Sequence, residues 1–384
     1  LMEQFKSYIT EEKDEPYKLL ILSHDDPLDP NETGPMVRKK ASELGIEVYL
    51  AEFSGMYMED KGNDQLIYSF PVDDKGTVEM PGMKDGVEYD KPFTINPKNT
   101  LIMARGLGST VKTGNLSWRV ACLNLEKQGY TLINSVACHD ICNDKWHNQI
   151  IFQQQNILTP NTVLVRHAEG AEEAAERLGN KFPMILKTAV GSRGVGVIWI
   201  ESLKALHSVI QLLHREDEFV DVLLQEYIKT DYDVRVIIAG GQILGAIKRP
   251  IVSDDFRSNV SQGSEPQSHE LTEREAQESL RAAESVEGQV VGVDFIPAKN
   301  RDKESPYFIE VNSTPGLMGI EAVLSKSAAK PLIKGKDRSI TKEILNLYKD
   351  RSLWTKSGNL SGRHENFKHK TLGELVGTMD TGNS

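Results

Sequence analysis

The sequence predicts a small α/β domain followed by a larger α+β region, and three observations carry that prediction. Residues 19–53 read strand, helix, strand, with the helix closed by a glycine, which is how a doubly wound unit opens. Two β-hairpin patterns follow, one around a glycine-rich loop at 187–196 and one around Gly240-Gly241. Helical stretches at 203–213 and 272–286 separate the later β segments. A chain of 384 residues exceeds one ordinary domain and suits two or three.

Each element follows from its local pattern. Residues 1–17 are polar and charged and read as a loose leader. LLILS at 19–23 is a short buried strand, 34–45 a helix, and 46–53 (IEVYLAEF) an alternating strand. Residues 54–98 are rich in Gly, Asp, Pro and Lys and read as an irregular β insert with a short strand at 67–70. Residues 100–104 form a strand leading into Arg105-Gly-Leu-Gly, 111–128 a helix, and 130–134 another strand. A helix over 144–157 is capped by Asp144, and Pro160 ends that region. An Ala/Glu-rich helix at 168–178 precedes FPMILK, the glycine loop and its partner VGVIWIE. Residues 220–227 form a buried strand, and 233–239 and 242–248 the second hairpin. After a polar loop at 250–270, Thr272-Glu-Arg-Glu275 is a capping box that opens the helix to about Val286. Strands at 289–296 and 307–311 flank a charged turn. The tail 331–384 is polar, with ten Lys/Arg against six Asp/Glu and a short helix at 340–348.

Composition narrows the function classes. Hydrophobic residues make 39% and charged residues 26%, as in a soluble globular protein. A net charge of -11 argues against broad nucleic-acid or anionic-membrane binding. No apolar run is long enough to span a bilayer, and no basic-then-apolar signal opens the chain. Three cysteines do not make a disulfide framework and suit a reducing, cytoplasmic setting. Cys138-His139-x-x-Cys142 has metal-like spacing, but no second Cys/His cluster completes a site, so the thiols read as buried or idle.

Three groups of residues carry chemistry. Lys187 ends a strand, and Gly191, Ser192 and Gly194 follow in a loop whose backbone can close over phosphates. No Gly-Lys-Ser/Thr opens a helix here, so it is not a P-loop, and alone the loop reads equally as a plain hairpin turn. At the other end, Glu310 and Asn312 are two apart on one strand and face the same side, with Ile309 and Val311 facing a core. If the strand holding Asp294 pairs with that one, two carboxylates and an amide oxygen form a hard-cation site suited to magnesium. A polar sheet face in water is the plainer reading, and the apolar residues around each of these three argue against it. The third group is cationic: Lys248, Arg249 and, in the long loop, Arg257 beside Ser258 and Asn259. Cations there neutralise phosphoryl oxygens or hold a carboxylate, or belong to a solvated loop.

In this order the pieces resemble the ATP-grasp superfamily, most closely the RimK-type amino-acid ligases. The strings that carry the resemblance are ILKTAVGSRGVGV, LLQEYIKTDYDVRV, GAIKRP with DDFRSN, VVGVDFI, and FIEVNSTPGLMGIE, spanning about residues 134–322. The resemblance implies an α/β N-terminal domain (1–136, with the insert 54–98) followed by an α+β ATP-grasp fold whose two subdomains, 137–215 and 216–330, sandwich ATP; the tail 331–384 has no family counterpart and reads from its composition as a polar C-terminal extension. It implies that Lys145 and Lys187 contact phosphates and that Gln225, Glu226 and Tyr227 read adenine. It places Asp233 near the ribose, and Arg257, Ser258 and Asn259 along the triphosphate. Magnesium or manganese would sit on Asp294, Glu310 and Asn312, and Arg257, Lys187 and Arg249 would serve the reaction.

The implied activity is ATP-dependent carboxylate–amine ligation through an acyl phosphate, adding an amino acid such as glutamate to a peptide or protein. No membrane or nucleic-acid partner is expected, and a homo-oligomer is allowed. A small-molecule ligase of the glutathione-synthetase type is the alternative within the superfamily. A non-catalytic ATP-binding module, like the synapsin domain, is the alternative outside catalysis. Arg105 lies where the family often has an Arg-Gly turn, and it reads equally as a substrate contact or a structural arginine.

Overall fold

A computed structural model describes residues 17–23, 33–62, 64–74, 90–105, 116–167, 170–189, 197–216, 221–251, 265–326, 338–354, 365–369 and 373–377. The chain opens with β1 (Lys18–Ser23), α1 (Thr33–Glu43) and β2 (Glu47–Glu52). The glycine after α1 does what its position predicts. Gly45 sits at φ +72°, its N–H donates to the Ser42 carbonyl and that of Ile46 to Ala41, which satisfies two of the last free carbonyls.

The insert is more regular than its composition suggests. Its described strands β3 (Met56–Lys61), β4 (Asp64–Ser69) and β5 (Phe93–Ile95) form an antiparallel sheet in that order, with Ile67 and Ile95 fully buried. β6 (Thr100–Ala104), α2 (Leu116–Lys127) and β7 (Thr131–Ile133) complete a parallel sheet of order β2-β1-β6-β7. Alternate residues of β1 and β6 enter different cores. Leu19, Ile21, Leu101 and Met103 pack on one face, and Leu20, Leu22, Ile102 and Ala104 on the other.

The next unit adds two elements that the sequence pattern does not show. α3 (Val136–Asn143) is separated from α4 (Lys145–Gln154) by Asp144 alone, so the pair reads as one polar stretch. Ser135 caps α3 by accepting from Cys138 N–H, and Asp144 caps α4 by accepting from Trp146 and His147, as its sequence position predicts. β8 (Thr162–Val165) is the second addition, four residues just beyond Pro160. With α5 (Gly170–Arg177), β9 (Met184–Thr188), β10 (Val197–Ile200), α6 (Leu203–Glu216) and β11 (Val222–Glu226) it builds an antiparallel sheet of order β10-β9-β11-β8. α5 and α6 cover one face through Ala171, Ala174, Leu206 and Ile210.

A five-stranded antiparallel sheet follows, of order β14-β13-β12-β15-β16. Its strands are β12 (Tyr232–Ala239), β13 (Gln242–Pro250), β14 (Gln267–Ser268), β15 (Val290–Ile296) and β16 (Tyr307–Asn312), with α7 (Glu273–Ser285) before β15. Gly240 and Gly241 lie at φ +53° and +72°, the left-handed pair that a two-residue hairpin turn requires. The capping box of Thr272 and Glu275 is formed in both directions. One sheet face is apolar: Val234, Val236, Val293, Phe295, Phe308 and Val311 pack with Phe152 and Ala282 from α4 and α7.

α8 (Met318–Leu324) and α9 (Ile340–Leu347) close the described core. The sequence reads 331–384 as a polar extension, yet Ile340, Ile344, Leu345 and Tyr348 are buried with Leu19, Ile21, Ile237 and Leu244. Spacings of four, one and three put those four side chains on one helical face, and overall polarity hides that stripe. The expected loose leader ends at Tyr17, whose buried hydroxyl donates to the Leu345 carbonyl at 2.7 Å; residues 1–16 lie outside the described ones. The hairpin of β17 (Glu365–His369) and β18 (Gly373–Gly377) was not expected from the sequence. No described helix is long and apolar enough to cross a membrane.

Candidate active site

The second face of the five-stranded sheet is charged, and strand register explains why. Asp233 and Arg235 are two apart on β12 and so share a face. Arg249 of β13 lies opposite Asp233, Asp294 of β15 opposite Arg235, and Glu310 of β16 opposite Asp294. The result is a row of side chains across four strands. Arg249 donates to both oxygens of Asp233 at 2.7 and 2.5 Å and to Asp294 Oδ2 at 2.9 Å. Arg235 donates to Asp294 through Nε at 2.7 Å and Nη2 at 2.6 Å. Burial opposes the charge of Asp294, but the two guanidiniums overcome it and hold the carboxyl below its usual range. Removing either arginine would leave a buried charge underpaired, which is where such pairs become costly.

Glu310 stands at the end of this row and makes no hydrogen bond or ion pair within the described residues. Asn312, two residues on, accepts from Thr314 N–H at 2.9 Å. The expectation that Ile309 faces the core with Val311 is corrected. The register shifts at Asp294/Phe295, so Phe308 pairs with Phe295 and takes the core position, while Ile309 is only half-buried.

The cationic edge of the site comes from the other sheet. Lys187 ends β9, and its ammonium donates to Gln225 Oε1 at 2.8 Å. Gln225 Nε2 in turn donates to Thr162 Oγ1 at 2.8 Å across the β11–β8 pair. The N–H of Lys145 donates to the Ala189 carbonyl, which docks the start of α4 on the end of β9. Lys145 and Glu310 are thereby both close enough to act on Lys187. Burial pushes the Lys187 ammonium down to about 8, the Glu310 carboxylate works against this, and the Lys145 charge adds to it. So the structure brings Lys145, Lys187, Gln225 and Glu310 into one neighbourhood, with Asp294 beside Glu310 and Asn312 two residues further along β16.

Other expected site residues are placed differently or not described. Glu226 pairs with Asn161 by both backbone N–H (2.9 Å) and carboxylate (2.8 Å), and Tyr227 packs edge-on against Trp199 at 4.7 Å. Asp233, expected near a ribose, has both carboxylate oxygens on Arg249, and Arg249 is itself buried between two carboxylates. Gly191, Ser192, Gly194, Arg257, Ser258 and Asn259 lie outside the described residues.

Sequence reasoning missed Arg235, although the alternation of Asp233 and Arg235 with buried valines was the signal for it. It also missed the way the N-terminal domain grips the turn after β16. Asn134 Nδ2 donates to the carbonyls of Val290 (2.7 Å) and Ser313 (2.6 Å), while its Oδ1 accepts from Gln289 and Val290. His139 Nδ1 lies 2.9 Å from Ser313 Oγ, and Arg105 donates to the Pro315 carbonyl at 3.2 Å.

Among the described residues no group of three or more His, Cys, Asp or Glu is placed to hold a metal. The donor set fits a hard cation nonetheless. Asp294 Oδ1 accepts one guanidinium N–H, the Glu310 side chain has no hydrogen bond to a described residue, and the Asn312 amide oxygen keeps a lone pair.

The sequence profile of the RimK-like ATP-grasp domain matches residues 142–335, half of the chain. The chain belongs to the RimK-like ATP-grasp family. Among curated relatives of this family member, a probable alpha-L-glutamate ligase of Rhodopirellula baltica is 33% identical over 202 residues, 52% of this chain and 48% of that protein. A ribosomal protein bS6–L-glutamate ligase of Escherichia fergusonii is 32% identical over 217 residues, 56% of this chain and 70% of that one. The match thus spans about half the length of the first relative and more of the second. The ATP-grasp fold is seen in solved structures too. D-cycloserine synthetase aligns at a TM-score of 0.58 and 11% identity over 86% of this chain and 99% of its own. A macrocyclase from Microcystis aeruginosa, solved with its precursor peptide, aligns at 0.57 and 14% over 86% and 98%. At these identities the likeness concerns the fold alone.

Proposed function

We propose that this RimK-like protein is an ATP- and magnesium-dependent carboxylate–amine ligase that joins an amino acid such as glutamate to a peptide or protein. The single observation that carries this is the convergence of Lys145 and Glu310 on Lys187, with Asp294, the cross-strand partner of Glu310, already fixed by two arginines. The names of the relatives support a glutamate ligase. A divalent cation on Asp294, Glu310 and Asn312 would supply charge neutralisation to the ATP phosphates. Lys187 and Lys145 bind and orient those phosphates. Arg235 and Arg249 keep Asp294 ionised and aimed. Gln225 holds Lys187 in place, and the segment at Tyr227 receives the adenine.

With ATP so held, a substrate carboxylate oxygen attacks the γ-phosphorus and ADP leaves, giving an acyl phosphate. The amine then attacks the acyl carbon, phosphate leaves, and the amine proton passes to solvent. A carboxylate is a poor acyl donor without this activation, and the site's share is positioning and electrostatics rather than a covalent nucleophile. The three unpaired thiols support a cytoplasmic setting.

The test is ADP release with magnesium and ATP across a pool of amino acids and short peptides, with mass spectrometry of the products. A peptide heavier by one amino-acid residue supports the reading. Products made from free small molecules alone would favour the glutathione-synthetase type. Tight ATP binding with no turnover would favour a binding module.

A further inference from the structure

Arg105 is 7% exposed, and no carboxylate pairs with it among the described residues. Its own N–H donates to the Leu22 carbonyl at 2.7 Å, so it leaves the parallel sheet between the C-terminal ends of β1 and β6. In the order β2-β1-β6-β7 the chain steps from β1 to opposite sides, which makes this gap the switch point of the sheet. Ligands of open α/β sheets settle in the crevice outside that gap.

Among the described residues the guanidinium has one hydrogen bond, to the neutral carbonyl of Pro315, and its Nε has no partner. Burial draws its pKa down to about 10, so it remains a cation at neutral pH. A buried cation without a counter-ion is costly, and the described residues supply none here. His139 cannot compensate: burial foremost, then the Arg105 charge, lower it to about 4, so it is neutral. Asn134 is fully engaged with backbone groups. The partly open cavity between Arg105, Asn134, Ser313 and Pro315 has room for about one water. That admits one oxygen-sized group of a ligand. Pro315 is three residues beyond Asn312, so the cavity lies at most about 11 Å along the chain from the end of the proposed metal set.

We propose that Arg105 binds the α-carboxylate of the incoming amino acid, the carboxylate that is not activated. This rests on the ligase reading for the identity of the substrate. A planar guanidinium pairs with a carboxylate in a fixed fork and makes a strong charge-assisted contact.

The experiment is calorimetric titration of the full chain, loaded with magnesium and a non-hydrolysable ATP analogue, with L-glutamate, its α-amide and glutamine. The wild type binds glutamate and glutamine at least about tenfold more tightly than the α-amide, as expected for loss of one charged hydrogen-bond partner. Arg105→Gln weakens glutamate by about thirtyfold or more and erases that preference, and Arg105→Lys falls between. Affinity for the ATP analogue in both variants stays within about threefold of wild type, which a general disruption of the fold would not allow. Several results would overturn the proposal: Arg105→Gln binding glutamate like wild type, a wild type indifferent to the α-amide, a preference lost against glutamine instead, or no amino acid bound at all. Failure of the ligase reading looks different: glutamate still binds through Arg105, yet the wild type forms no amide with any acceptor.

Discussion

Lys187 carries the densest chemistry of any single residue in the site. Its side chain is half-buried overall, held by Gln225, and pushed to about 8 mainly by burial of the ammonium. The charged form, which binds phosphate, is therefore present below about 8 and is lost above it. Affinity for magnesium-ATP in the free protein should fall as pH rises through that value. Arg cannot deprotonate in this range. The Lys187→Arg variant should bind more weakly overall but without the step, and Lys187→Met should lose about tenfold or more at neutral pH. Titration of nucleotide affinity between pH 6.5 and 9.5 is the check; an identical step in the arginine variant would assign it to another group. The importance of Lys187 was legible from its place at a strand end before glycines. The salt-bridge logic around Asp294 was not, because Arg235 looks like one more alternating residue until the β12–β15 register places it opposite that carboxylate.

At the scale of elements, the site is a consequence of strand register. A one-residue slip of β15 against β12 would send Asp294 into the apolar face and turn Val293 and Phe295 out of it. Gly292 helps to keep that register open to the turn after β16. A Cβ there would lie 3.2 Å from Pro315 Cβ and 3.4 Å from Arg235 Cδ. Gly292→Ala should displace Arg235 and the 313–315 turn by tenths of an ångström. It should cost about 1–3 kcal/mol of stability, in the usual range for overpacking. Turnover should fall by about tenfold, since small misplacements at a reacting centre are expensive. Denaturant unfolding and steady-state kinetics measure the two effects; wild-type turnover would show that this turn does not set the site. Strands with strong alternation, the Gly240-Gly241 hairpin and the capping box at Thr272 were all readable in advance, because each depends on local stereochemistry. α3 and β8 were not, because only an Asp separates α3 from the next helix and β8 is four residues of ordinary apolar sequence.

Across the whole molecule, one core joins what the sequence divides. α9 inserts Ile344 and Leu345 between the parallel sheet and the five-stranded sheet, and Tyr17 is tied to the carbonyl of Leu345. Lys342 adds an ion pair to Glu43 of α1 at 2.7 Å. Ile344→Ala should cost about 2–5 kcal/mol, as for other large-to-small changes in a packed core. Both sheets should lose that stability together, in coincident transitions by tryptophan fluorescence and far-ultraviolet circular dichroism. Separate transitions would mean that the tail is an appendage. The sequence hid this role because burial here depends on contacts more than 300 residues apart, and a polar tail with one apolar stripe gives no local sign of its partner.

The central claim is that the site activates a carboxylate by phosphorylation, and transfer of isotopically heavy oxygen tests it most directly. The carboxylate of the acceptor peptide is labelled with heavy oxygen, the ligation is run with magnesium and unlabelled ATP, and the released phosphate is weighed by mass spectrometry. The account predicts that each amide formed yields one ADP and one phosphate carrying a single heavy oxygen, and that Glu310→Gln abolishes both. Unlabelled phosphate accompanying amide formation, or AMP with pyrophosphate in place of ADP, would contradict it.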